Sequence, residues 1–204
     1  MDTFLELNRG KLKSIFVRLS LVLLGLVSIV IAFAHLAGNF SNGKLLLAII
    51  LATGIGFPLF IMLIGYMVWL LNHKARQKAF SKIPFNEIEN ISFYKSYKGD
   101  SSKWSFTDEI KEGKLNGFTL RMDVSKEKNH TIEFDTPTEW KKLDKSEYSR
   151  LNDKFKQQSV EFRIGSLVKY YDTKRTVLQT VSDLKEDLEL FTTLLRQEGF
   201  EPKS

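Results

Sequence analysis

His35, His73 and His130 are the only histidines in the chain, and no cysteine accompanies them. Histidine is the usual general base and metal ligand near neutral pH. A metal site needs ligands at short spacing, and neither a His-x-x-x-His nor a Glu-x-x-His pair occurs. A Ser-His-Asp site would have to recruit His130, which closes the charged segment SKEKNH at 125–130 and reads as a solvated turn residue. The lack of cysteine excludes disulfides, thiolate metal sites, cysteine nucleophiles and lipoprotein anchoring. Gly99, Gly113, Gly117, Gly165 and Gly199 are scattered single turn residues and form no phosphate-cradling loop. Carboxylate chemistry is left, since any two of the 22 acidic side chains in residues 80–204 could meet in space. We expect no catalytic residue, no cofactor and no metal.

The cations carry more information. Residues 1–79 hold eight Lys/Arg (Arg9, Lys11, Lys13, Arg18, Lys44, Lys74, Arg76 and Lys78) against Asp2 and Glu6. Residues 80–204 hold 22 basic and 22 acidic side chains, so the whole formal excess of +6 lies in the first part. A pI near 9.3 invites a nucleic-acid reading. The neutral second part argues against it, and no nucleic-acid partner is expected.

The cations flank two long uncharged runs, LSLVLLGLVSIVIAFAHLA at 19–37 and LLLAIILATGIGFPLFIMLIGYMVWLL at 45–71. About 20 apolar residues at 1.5 Å rise cross a hydrocarbon layer of roughly 30 Å, and a backbone in lipid must bond to itself. Both runs are therefore read as transmembrane helices, with spans of about 15–37 and 45–71 inside a hairpin covering 15–72. Arg9, Lys11, Lys13 and Arg18 precede the first span, and Lys74, Arg76 and Lys78 follow the second, while the seven-residue connection at 38–44 has one lysine. Positive flanks stay on the cytoplasmic side. The reading is a multi-pass protein of the cell inner (plasma) membrane with both termini cytoplasmic. A rival is that Ala32-Phe33-Ala34 marks a signal-peptide cleavage site.

Within the spans, Ala48, Ala52 and Gly56 recur every four residues and predict a close-packing face, within the hairpin or in a homo-oligomer. Pro58 lacks an N–H and crowds the carbonyl of Gly54, which predicts a bend there. Tyr66 and Trp69 are placed at the cytoplasmic interface, where amphipathic rings prefer to lie.

A basic linker at 73–83 leads to a cytoplasmic domain at 84–204. Alternation predicts strands at 88–95, 103–110, 117–124 and 131–135, with turns at Glu112-Gly113 and Asn116-Gly117. Asp144 with Glu147 opens a helix over 144–157, a strand follows at 159–165, and 166–172 is undecided between strand and helix. The last helix starts at Thr180 or Ser182, carries Leu184, Leu188, Phe191 and Leu195 on one stripe, and stops at Gly199. Trp104 and Trp140 are read as core or sheet-face residues. The fold class is a membrane α-helical hairpin, preceded by a cytoplasmic segment at 1–14 and followed by a soluble α+β domain with an antiparallel sheet and a C-terminal helix.

These readings point to a non-catalytic module held at the bilayer, with a protein, peptide, small-ligand or lipid-headgroup partner, in an immunity or scaffold role. The alternative is a ligand-triggered membrane effector whose hairpins assemble, and the third reading is a membrane-bound enzyme. The Lys-, Ile-, Phe- and Asn-rich composition suits an AT-rich bacterial genome.

Overall fold

A computed structural model describes residues 2–36, 43–99, 101–102, 104–125, 130–139, 142–175 and 178–203. The predicted turn at 38–42, residues 126–129 of the charged loop and Trp140 lie outside the described residues. In chain order the elements are α1 (Asp2–Leu36), α2 (Gly43–Leu51), a π turn (Ala52–Gly56), α3 (Phe57–Phe80), a 3-10 helix (Phe85–Ile91), β1 (Tyr94–Lys98), β2 (Asp108–Leu115), β3 (Phe118–Val124), β4 (Thr131–Pro137), α4 (Lys145–Lys156), β5 (Val160–Arg163), β6 (Ser166–Asp172) and α5 (Val181–Gln197). The chain divides into two units. One joins Met1–Leu71 to Gly99–Asp108, and the other joins Asn72–Lys98 to Glu109–Ser204.

The first unit is the helical pair. Thr3–Leu36 and Gly43–Phe80 are both long and apolar enough to cross a membrane. α1 is 35 residues, about 50 Å at 1.5 Å per residue, so its apolar half is preceded by several turns of basic helix. The second rod is interrupted where the sequence predicts a bend. The Phe57 N–H reaches the Ala52 carbonyl, five residues back rather than four, in a π turn ending just before Pro58. A proline at this point has no N–H to give and would crowd the carbonyl four residues earlier. The wider turn sits where that crowding would fall.

The second unit is built on a six-stranded sheet in the order β1-β2-β3-β4-β6-β5, and the strand pairs with resolved register are antiparallel. One face is apolar. Phe118, Leu120 and Met122 of β3 join Ile132 and Phe134 of β4 and Leu167 and Tyr171 of β6, beneath Leu151 and Phe155 of α4 and the Leu184, Leu188, Phe191 and Leu195 stripe of α5. The other face carries charge, with Asp123 opposite Glu133 in the β3–β4 register and Arg163 bidentate on Glu133 at 3.1 and 2.9 Å.

The local signals for the helices correspond to real caps. Asp144 accepts the Glu147 N–H at 2.8 Å, and Thr180 forms a reciprocal capping box with Asp183. Asn116 and Gly117 both have positive φ, 49° and 84°, as a two-residue hairpin turn requires.

Three expectations need correction, and one open reading is resolved. Residues 85–91 form a 3-10 helix, not the start of a strand, because Phe85, Ile88 and Ile91 recur every three residues and stack into the core. Pairing in β2 begins only at Asp108, since 99–107 packs in the helical unit, and Trp104 is 59% exposed rather than part of a sheet face. Residues 166–172, open between strand and helix in the sequence, are a strand and bring the strand count to six. Gly113 lies inside β2, where a Cβ would come within 2.6 Å of the Phe93 ring.

Phe93 is fully buried, so its ring has no room to yield. We therefore expect Gly113→Ala to destabilise the sheet unit by about 1–3 kcal/mol, measured by denaturant unfolding of the full chain in detergent.

Candidate functional site

Among the described residues, two recesses are lined by polar side chains, one in each unit. The first is at the basic end of the helical pair. Asn8, fully buried on α1, grips the backbone of Thr107: the Thr107 N–H donates to Asn8 Oδ1 at 2.7 Å, and Asn8 Nδ2 donates to the Thr107 carbonyl at 3.3 Å. The Trp69 indole N–H donates to the same carbonyl at 3.0 Å. Around this clamp the Phe4 ring meets Tyr66, Trp69 and Phe106 edge-on at centroid distances of 4.8, 4.9 and 5.0 Å. Lys11 Nζ donates to the Gly99 carbonyl. Lys11, Ser14, Arg18, Ser101 and Ser102 line a small recess of about 210 Å³.

The residues singled out in sequence are treated differently by the structure. Arg9, Lys13, Lys74 and Lys78 are exposed, while Lys11 and Arg18 are half-buried at the recess. Trp69 is buried and Tyr66 half-buried in the aromatic cluster. Ala48, Ala52 and Gly56 all face outward, with nothing within 4 Å of a Cβ built at Gly56. The close contact between the rods is made by Gly54, whose added Cβ would lie 3.2 Å from Leu24, and Pro58 is buried.

Arg76, unlike the exposed flanking cations, is buried. Its side chain is 5% exposed and its Nε lies 2.6 Å from Asp123 Oδ1, while Lys98 reaches Oδ2 at 3.1 Å. Burial alone would push the Asp123 carboxyl up. The Arg76 hydrogen bond and charge, with Lys98 and the Val124 N–H, more than offset this and hold it below the ordinary aspartate range.

The second region is an open groove of about 570 Å³ in the sheet unit, between α5, the α4–β5 turn and β6. Gln157, Gln158 and Gln197 stand among its walls and Leu190, 63% exposed, is another lining residue. Lys169, Asp187 and Tyr171 form a connected group in it. Lys169 Nζ is 3.0 Å from Asp187 Oδ2, and the Tyr171 hydroxyl donates to the same oxygen at 2.6 Å. The ammonium also lies 5.7 Å from the Tyr171 and Phe191 ring centroids. Burial first, and then the Asp187 charge and hydrogen bond, push the Tyr171 phenol well up, so it stays a donor at neutral pH. The Asp187 side chain remains 35% exposed and can accept from a polar ligand.

Sequence reasoning missed Asn8, Thr107, Asp123 and this trio. One signal was present: Lys169 occupies an inward position between Leu167 and Tyr171, where a cation needs a partner. Among the described residues no three His, Cys, Asp or Glu side chains converge as a metal site would require. No family model matches the chain, and no curated protein or solved structure matches it significantly.

Asn8→Ala would orphan the Thr107 N–H, and we expect limited proteolysis in detergent to cut within 99–108 several-fold faster while the sheet unit stays intact. Asp123 should show in acid. Because its folded value lies below the ordinary 3.8, its contribution is complete above that pH and is lost as pH falls through the folded value. Asp123→Asn should cost about 3–5 kcal/mol at neutral pH, leaving Arg76 buried beside a neutral amide, and should flatten the acid limb of the stability curve.

Proposed function

We propose that this chain is a two-span membrane protein whose non-catalytic sheet unit binds a polar partner, a peptide or a small ligand, at the cytoplasmic surface of the cell inner membrane. The observation that carries the membrane reading is exposure. Of the most apolar windows in the two long helices, only 6% and 11% of residues are buried. Leu21, Val30, Phe33, Leu36, Phe60 and Leu71 are among the large side chains left uncovered. A soluble protein rarely exposes an apolar patch of more than a few hundred Å², whereas lipid covers such a belt without cost. The flanking cations support a topology with residues 1–14 and 73–204 on the cytoplasmic side.

The groove supports the binding reading. Its three carboxamides, the exposed edge of Asp187 and the apolar Leu190 suit a ligand held by hydrogen bonds with some apolar contact. The donor and acceptor groups of Lys169, Asp187 and Tyr171 satisfy one another, so the site resembles a binding surface more than a nucleophile and its base. A second reading, a ligand-triggered effector, draws on the outward face of Ala48, Ala52 and Gly56, which a second copy could approach closely.

Because the sequence has no cysteine, a single introduced one gives a clean topology assay. A membrane-impermeant maleimide added to intact spheroplasts should label Ser41→Cys and spare Lys203→Cys until the membrane is broken. Labelling of Lys203→Cys in intact spheroplasts would overturn the orientation.

A further inference from the structure

The segment Gly99–Asp108 leaves the sheet between β1 and β2 and packs in the helical unit. It runs beside a defined stretch of α1. Thr107 is held at Asn8, and Ser101 and Ser102 line the recess that ends at Arg18. Ten helical residues separate those two levels, about 15 Å along the axis.

Two independent rulers bracket that stretch. Arg18 is the last cation before the uncharged run on α1. Tyr66 and Trp69 stand at the end of the apolar run on α3 and pack on Phe4, four residues before Asn8. If the rods span a bilayer, the zone between the last cation of one rod and the aromatic end of the other is the headgroup layer. This inference rests on that reading.

The segment has the chemistry of that layer. Trp104 is 59% exposed, although other aromatic rings of the same segment and its helices, Phe106 and Trp69, are packed together around Phe4. The Ser102 hydroxyl accepts from the Trp104 and Ser105 N–H groups at 3.3 and 3.2 Å, so a local serine turn holds the backbone that presents the indole. An indole on a hydroxyl-rich turn is suited to the headgroup level, with an apolar body and one polar N–H. We propose that the stretch carrying Ser101, Ser102, Trp104, Ser105 and Phe106, although inserted between two strands, is a membrane-surface element that lays Trp104 into the headgroup layer beside the basic turns of α1. The occupant of this surface is the bilayer.

The test uses the full chain with one introduced cysteine carrying a fluorescent NBD label, reconstituted in phosphatidylcholine vesicles with or without a nitroxide-bearing phosphatidylcholine. Ser105→Cys reports the loop, and Leu26→Cys, exposed within the first span, reports the bilayer interior. We expect nitroxide lipid to quench both labels at least twofold, and Trp104→Ser to halve the quenching at Ser105→Cys. If Leu26→Cys is quenched while Ser105→Cys is untouched and open to a water-soluble quencher, the loop faces water or a protein partner and the inference is overturned. If Leu26→Cys is itself untouched, the spanning reading has failed instead.

Discussion

Two rods of apolar side chains with little of their apolar windows buried are costly to expose to water, and the proposed membrane reading rests on that constraint. Helices are the form such segments must take in lipid, because each N–H and C=O finds its partner inside the rod. The same constraint governs the exception. Just before Pro58, which has no N–H to donate, the helix widens into a π turn in which the Phe57 N–H reaches back five residues to the Ala52 carbonyl. Gly54, just before it, supplies the tight approach to Leu24.

Charge takes over where the apolar runs end. Positive side chains at both rods' basic ends do two different jobs in the structure. Arg9, Lys13, Lys74 and Lys78 stay exposed, as the proposed topology needs of its flanking charges. Arg76 is withdrawn into the sheet unit and neutralised by Asp123, a pairing that buries both groups and offsets their loss of water only through close geometry. Lys11 donates to a backbone carbonyl of the segment 99–108, and Asn8 clamps that segment further along. Asn8, Lys11 and Trp69 thus all hold the 99–108 segment at the end that the proposed topology assigns to the cytoplasm.

Much of this was legible in the sequence wherever a period or a cap carried the signal. The two uncharged runs, the helix start at Asp144, the α5 stripe and the Asn116-Gly117 turn all follow from local chemistry, while Thr180 is one of two candidate caps for α5. The misreadings arose where tertiary packing chose between patterns. Ile91 and Phe93 fit an alternating strand on their own, but Phe85 and Ile88 place Ile91 in a three-residue period that the core selects. Gly113 looks like a turn residue until Phe93 is seen to need the space above it. The segment 103–107 alternates well enough for a strand, yet its partners are on α1 and α3, far away in sequence. The candidate groove was the least legible part. Lys169 could be noticed as a cation at an inward strand position, but its partner Asp187 is 18 residues away, and no spacing rule joins them.

The central claim is that the apolar rods are embedded in lipid, and alkaline carbonate extraction of membranes from expressing cells tests it most directly. The account predicts that the full chain stays with the membrane pellet through carbonate and enters the supernatant only with detergent. Release by carbonate alone, or recovery in the soluble fraction before it, would contradict the account.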